Sequence, residues 1–471
     1  MAIQWSGLGP ELLLGLDRDS GQPLRAQLEG GLRDAIRTGR LHGGERLPSS
    51  RALAIELGVS RGLVQECYSQ LLSEGYLTSH TGSATRVATG AFSASQGRTE
   101  ITERAPRLIA DFRQGVPDLA SFPRSDWVWA TREACNRATN AELDYGDPRG
   151  NAVLREVLAA YLRRVRAADA DQQRLILSTG YAQGLILVLQ ALARTGVRCA
   201  AFEDPGYGRA DTSEVMRAVA AGGMQLVHVP VDERGINVSA LAASDAQVAV
   251  VTPAHQSPTG VVLAADRRHA LVDWARRNGG FIIEDDYDSE FRYDKEPVGV
   301  LQGLAPGQVF TIGTASKALA PAVRLGWVLA PPALTDAVAA EKLISDRGSS
   351  ALDQLAMSAL LESGRYDRHL RRMRAVYASR RATLIASLAE HAPSIRLTGL
   401  AAGFHAVAHL PASADEHAVV TAARERLIGL HGMSEFRSAG GATPPQLVLG
   451  FGNISGRAIG PGIAAVADLL K

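Results

Sequence analysis

A chain of 471 residues with a formal net charge of +1 is too long for one hydrophobic core, so two or three domains are expected. Its 46% hydrophobic and 21% charged content is that of a soluble globular protein, and the charge balance leaves nucleic-acid binding undecided. Cys67, Cys135 and Cys199 are too far apart for a disulfide framework or a zinc site. With no signal peptide and no apolar run of about 18 residues, a cytoplasmic protein without metal or membrane span is expected.

The N-terminal domain is placed at 1–88, with its core at 22–88. A first helix is predicted from about Pro23 to Thr38, with Leu24, Leu28, Leu32 and Ile36 four apart on one face. Gly39 ends it, and Gly43-Gly44 allow a tight reversal. Pro48 and Ser49 open a second short helix with Ser49 as N-cap; Gly58 breaks it, and Ser60 caps a third. In the third helix Leu63, Val64, Cys67, Tyr68 and Leu71 make the inward stripe. Two short helices joined by a glycine-containing turn form a helix-turn-helix. Residues 75–87 supply a two-stranded wing with its tip near Gly82.

From geometry alone, a small dimerisation or capping module stands beside DNA binding. Residues 22–88 carry eight arginines against six acids, which decides little. Placement favours DNA: Arg46, Arg51, Arg61 and Arg86 sit at helix starts and in the wing, where guanidinium forks can meet phosphates. The segment LPSSRALAIELGVSRGLVQECYSQLLSEGYL resembles the winged helix-turn-helix of the GntR family of bacterial repressors over essentially all of 22–88. The resemblance implies a double-stranded DNA operator contacted by Arg51, Ser60, Arg61 and Gln65, with Gly82 letting the wing enter the minor groove. Gly62 and Leu63 stand where a polar pair often follows the arginine, so the base readout stays open.

Residues 89–107 are small, polar and charged, and read as an interdomain linker. From 108 to 471, short apolar runs alternate with helical patterns. LILS (175–178), CAAF (199–202), LVHV (226–229), VAVV (248–251), FII (281–283), VFTI (309–312) and GWVL (326–329) read as buried strands, with 181–195 and 264–278 among the helices between them. Alternation of this kind predicts a mainly parallel sheet covered by helices on both faces. The large part is expected over about 140–345. Long helices followed by strand-like pieces predict a smaller α+β part over about 346–471.

Only four of the 50 basic residues are lysines, which narrows the search for an amine nucleophile. Lys295 lies in a charged loop, Lys342 is expected on an exposed helix, and Lys471 is terminal. Lys317 follows a buried strand inside TIGTASKALAP, where desolvation lowers its pKa and makes it nucleophilic toward an aldehyde. A structural lysine at a strand end is the bland alternative. Thr314, Ser316 and Arg324 offer hydroxyls and a fork for a phosphate. The helix after 175–178 opens with Tyr181, Ala182 and Gln183, whose free N–H groups form an anion site. Asp285 and Tyr287 end a buried strand; a carboxylate there can keep a pyridine nitrogen protonated, and the phenol can bond a ring hydroxyl. Tyr207 offers a stacking face.

These elements, with the Pro258-Thr259-Gly260 turn, stand in the order found in fold-type I aminotransferases. Together with the N-terminal domain the chain resembles the MocR/GabR subfamily of GntR regulators over nearly its whole length. The resemblance implies pyridoxal 5'-phosphate as cofactor, Lys317 as its internal aldimine, Asp285 at the ring nitrogen and Arg324 at the phosphate. It further implies Arg209 at an effector, Tyr145 crossing a dimer interface to the partner's phosphate, and a head-to-tail homodimer. Two positions depart from true aminotransferases. His255-Gln256-Ser257 replaces the usual asparagine before Pro258, leaving His255 or Gln256 to contact the ring. Val448 stands about where an arginine grips the substrate carboxylate, with Arg437 the nearby substitute. The expected function is a transcription regulator sensing an amine effector, or pyridoxal phosphate itself, through Lys317. A working aminotransferase with a vestigial N-terminal domain is the alternative.

Overall fold

The computed structural model describes residues 14–79, 84–89, 108–206, 214–293, 298–438 and 444–471. Gly82, Tyr207, Arg209 and Lys295 lie outside the described residues, as does all but Thr89 of the expected linker. The chain divides into two compact units, Met1–Ala105 and Pro106–Lys471.

In the first unit three helices, α1 (Leu24–Arg37), α2 (Ser50–Leu57) and α3 (Arg61–Ser73), enclose a small core. Leu28, Leu32 and Ile36 of α1 meet Leu53 of α2 and Val64, Cys67, Tyr68 and Leu71 of α3. Leu24 and Leu63, expected inside, are half-buried, with Leu63 packed at the core's margin. The wing strands Leu77–Thr78 and Arg86–Val87 pair antiparallel. Serines start the two short helices as expected: the Ser49 hydroxyl accepts from the Ala52 N–H at 3.1 Å, and Ser60 from the Leu63 N–H at 3.2 Å. Each satisfies an N–H that the helix itself leaves unpaired. Ser49→Ala and Ser60→Ala are each expected to lower stability by about 1 kcal/mol, read from the denaturant midpoint of the N-terminal transition.

The second unit is built on an eight-stranded sheet. In spatial order its strands are Leu175–Ser178, Gly326–Leu329, Val309–Thr314, Phe281–Asp286, Val248–Val251, Cys199–Asp204, Gln225–Asp232 and Gly235–Ile236. All seven apolar runs are strands of this sheet. The five central strands are parallel, while Gly326–Leu329 runs antiparallel to both neighbours. Apolar clusters lie on both faces, which is why the strands read as continuous hydrophobic runs. A smaller antiparallel sheet of Arg396–Thr398, His405–His409 and Gln446–Gly450 packs with the long helix Arg365–His391. Among the described residues no helix is long and apolar enough to cross a membrane.

Successive side chains of a strand point to opposite faces, and this splits the acidic end of Phe281–Asp286. Asp286 meets Arg166 in a bidentate pair at 2.6 and 2.7 Å. Asp285 faces the other way, toward Lys317.

Candidate functional site

Thr314 closes its strand, and the chain turns through Ala315 and Ser316 to Lys317 before returning as Gly326–Leu329. The turn is tied by Ser316 N–H to Thr314 Oγ1 at 3.1 Å and by Ala315 N–H to the Leu325 carbonyl at 2.9 Å. Lys317 Nζ donates to the Gly115 carbonyl at 2.5 Å. Burial pushes its pKa down, with Arg113 adding to the effect and Asp285 and Asp288 opposing it. A larger share of neutral, nucleophilic amine results.

Lys317 borders a cavity of about 200 Å³ lined by Gln114, Gly115, Tyr181, Ala182, Ser257, Asp285, Tyr287, Thr314, Ser316, Pro321 and Arg324. Asp285 is 5% exposed, and its Oδ1 is buried with no hydrogen-bond partner among the described residues. An unpaired buried carboxylate oxygen is costly unless a donor reaches it. Burial holds this carboxyl well above the usual carboxylate range, and Lys317 counteracts part of that shift.

The opposite end is set by backbone packing. Gly180 precedes the helix Tyr181–Arg194 at φ +111°, and a Cβ there would meet Arg324 Nη1 at 3.4 Å. A Cβ on Gly326 would lie 2.8 Å from Gly180 Cα. This close approach brings the helix N-terminus, Arg324, Thr314 and Ser316 to one end of the cavity, where N–H groups and a guanidinium suit an anion. Arg324 itself takes a left-handed conformation, φ +52°.

The expectations for Lys342, His255 and Gln256 are corrected, and the other predicted side chains are placed as follows. Gln183 turns its side chain out of the cavity, its Oε1 accepting from Thr179 N–H at 2.8 Å and from Lys342 Nζ at 3.0 Å. Lys342 is not on an exposed face: its side chain is 0% exposed and also donates to Asp346 and Ser349. His255 and Gln256 do not line the cavity; Ser257 does. Gln256 is held by Glu203, Pro205 and Thr259. His255 lies behind Tyr287, its Nδ1 2.7 Å from Asp288 Oδ2. Tyr145 is 76% exposed and lies outside the Lys317 cavity, with the Arg347 guanidinium 5.6 Å from its ring centre. Arg437 contacts Gln446 at 3.3 Å, away from the cavity, and its Nε has no partner among the described residues. Val448 is buried with Val407 and Met433 in an apolar cluster.

Sequence reasoning missed Gln114, Gly115, Ser257 and Pro321. It also missed the buried cluster of His255, Asp288 and His405. In the N-terminal unit Arg46, Arg51, Arg61 and Gln65 are exposed, while Arg86 is tied to the Gly44 carbonyl at 3.0 Å. Ser60 spends its acceptor on the helix cap, and its own O–H remains a donor.

A mixed α/β sheet with a lysine at one strand end and an aspartate at the next, joined to a winged helix-turn-helix, defines a class: an aminotransferase-like domain fused to a DNA-binding domain. Residues 24–87 match the family of bacterial regulatory proteins of the gntR type, and residues 72–437 match aminotransferase class I and II. The chain belongs to the helix-turn-helix transcription regulators that carry this aminotransferase domain. It is 33% identical to the HTH-type pyridoxine biosynthesis transcriptional regulator PdxR of Corynebacterium glutamicum, covering 94% of this chain and 95% of that one. It is 32% identical to the probable rhizopine catabolism regulatory protein MocR of Rhizobium meliloti, over 96% and 94% of the two chains. Among solved structures it resembles the kynurenine aminotransferase of Pyrococcus horikoshii at 23% identity and a TM-score of 0.68, over 78% of this chain and 91% of that one.

Proposed function

We propose that the cavity holds pyridoxal 5'-phosphate, attached covalently through Lys317, and that the cofactor site governs DNA binding by the winged helix. The observation that carries this is the unpaired Asp285 Oδ1 in a cavity that also holds a depressed-pKa lysine and an anion-binding end. Asp285 accepts from the ring nitrogen. Tyr287 and Ser257 bond the ring oxygen. Arg324, Thr314, Ser316 and the N–H groups of 181–183 hold the phosphate. When bound, the cofactor supplies an aldehyde that exchanges its amine partner, so the sensed ligand is an amine or pyridoxal phosphate itself. Tyr207 supplies the face that stacks on the ring, Arg209 and Arg437 take the effector side, and the exposed Tyr145 reaches the partner's phosphate in a head-to-tail homodimer.

The second reading, a working aminotransferase, draws on the intact Lys317, Asp285 and Arg324. Val448 in its apolar cluster speaks against it, because no cation stands there for a substrate carboxylate.

The test starts from selection of operator fragments out of genomic DNA, followed by titration of the selected duplex with and without pyridoxal phosphate and candidate amines. Ligand-dependent operator affinity is expected, together with negligible amino transfer. Arg61→Ala, at the start of α3, is expected to weaken operator binding about tenfold. Steady amino transfer above roughly 1 s⁻¹ with unchanged operator affinity would instead favour the enzyme reading.

A further inference from the structure

Behind Tyr287 lies a buried group that the cavity itself does not use. His255, Asp288 and His405 are each about 1% exposed and bring their ligand-type atoms within 4.8 Å of one another. A metal ion fits this arrangement poorly. Asp288 Oδ2 lies 2.7 Å from His255 Nδ1, a hydrogen-bond length, whereas two ligands bound at about 2.0–2.2 Å in a tetrahedral site stand farther apart. The imidazoles of His255 and His405 lie against each other at a tilt, with centroids 4.6 Å apart and planes at 41°. The space is also closed. Gly403, at φ +66°, passes so near that a Cβ would lie 2.3 Å from Asp288 Oδ2 and 2.4 Å from His255 Cε1.

The geometry fits a hydrogen-bond relay. His255 Nδ1 faces the Asp288 carboxylate and so carries a proton that it donates there. The Tyr287 hydroxyl lies 3.3 Å from the same nitrogen. On the far side of the ring, Nε2 lies 3.4 Å from the Gly399 carbonyl. Tyr287 thus meets a nitrogen that cannot accept its proton, and the competing acceptor behind it, the Asp288 carboxylate, is already engaged at 2.7 Å by His255, which leaves the O–H for the cavity. We propose that His255, fixed by Asp288, is a positioning residue that keeps the Tyr287 hydroxyl turned as a donor toward the cofactor's ring oxygen.

This rests on the pyridoxal phosphate reading above. With His255 removed, Asp288 becomes a buried carboxylate without that partner and draws the Tyr287 O–H hydrogen bond to itself, away from the cavity. The groups facing Tyr287 are Asp285 from its own strand, Asp288 from the turn after it, His255 and Ser257 from the turn before Pro258, and Lys317 across the cavity. His405 lies tilted behind them, and burial and His255 drive its pKa well down, which favours the neutral ring and adds no positive charge to the relay.

A donor on the ring oxygen stabilises the deprotonated chromophore, so losing the donor moves the chromophore's titration upward. Wild type, His255→Leu, Tyr287→Phe, the double variant and His255→Asn are loaded with pyridoxal phosphate and titrated by visible absorbance. His255→Leu and Tyr287→Phe are each expected to raise the midpoint by about one pH unit. The double variant goes no further, because His255 acts through Tyr287. His255→Asn retains an amide donor for Asp288 and restores the midpoint to about the wild-type value. Asp288→Asn carries the same upward expectation as the leucine variant, and reports in its place should His255→Leu not fold. It frees Nδ1 to lose its proton and accept from Tyr287. Additive shifts, or an unmoved midpoint in both His255→Leu and Asp288→Asn, overturn the relay alone. A wild-type protein that acquires no visible band overturns the cofactor reading and the relay with it.

Discussion

Lys317→Ala is expected to abolish covalent retention of pyridoxal phosphate and to uncouple operator affinity from that ligand. The cavity offers one amine to an aldehyde among the described residues. Lys342 is buried elsewhere with its ammonium held by Gln183, Asp346 and Ser349, and Lys471 is the terminal residue. Burial lowers the Lys317 pKa, which favours the neutral form that attacks a carbonyl. Borohydride reduction followed by denaturation and mass measurement should leave a cofactor-sized increment on wild type and none on the variant. Reversible binding should weaken by roughly 100-fold or more, the equivalent of about 3 kcal/mol. The fold should survive, since the change removes one hydrogen bond, to the Gly115 carbonyl. A variant that keeps the borohydride label would move the attachment to another lysine. One that loses the label yet keeps ligand-dependent operator binding would show that sensing does not pass through Lys317.

The sequence exposed those parts of the site that follow from local pattern. Asp285, Tyr287 and Lys317 stand just at or beyond the ends of continuous apolar runs, and such runs mark strands covered on both faces. The neighbouring Asp286 was not read at all: only the structure shows that it turns to the opposite face and pairs with Arg166. Ser49 and Ser60 were readable because an N-cap is a local event. What stayed hidden depends on chain distance. The carbonyl that holds Lys317 belongs to Gly115, 202 residues away. Lys342 looks like a surface residue until Gln183, Asp346 and Ser349 are seen to enclose its ammonium. The turn before Pro258 offered three polar residues in a row, and only tertiary packing distinguishes Ser257, at the cavity, from His255 and Gln256 behind it. Direction was hidden too, since Gly326–Leu329 has the composition of its parallel neighbours but runs against them.

Asp285→Asn is expected to change the protein in opposite senses with and without cofactor. In the cofactor-free protein burial holds the Asp285 carboxyl well above its usual range, so the folded protein keeps a proton that the unfolded chain releases near about pH 4. Above that pH, ionisation favours the unfolded state, and the destabilisation grows until the folded-state carboxyl itself titrates. Asparagine does not ionise. The cofactor-free variant should therefore match wild type below about pH 4 and be more stable at neutral pH, as read by denaturant midpoints across the range. With pyridoxal phosphate the order reverses. A protonated ring nitrogen finds a charged acceptor in Asp285 Oδ1 but only an amide in the variant, and loss of a charge-assisted buried bond costs about 3 kcal/mol, or roughly 100-fold in affinity. Cofactor should consequently raise the thermal midpoint of wild type far more than that of the variant. A carboxylate buried only for structural reasons would give the first effect without the second. Finding both would identify the unpaired oxygen of Asp285 as a binding group that the fold keeps at a cost to its own stability.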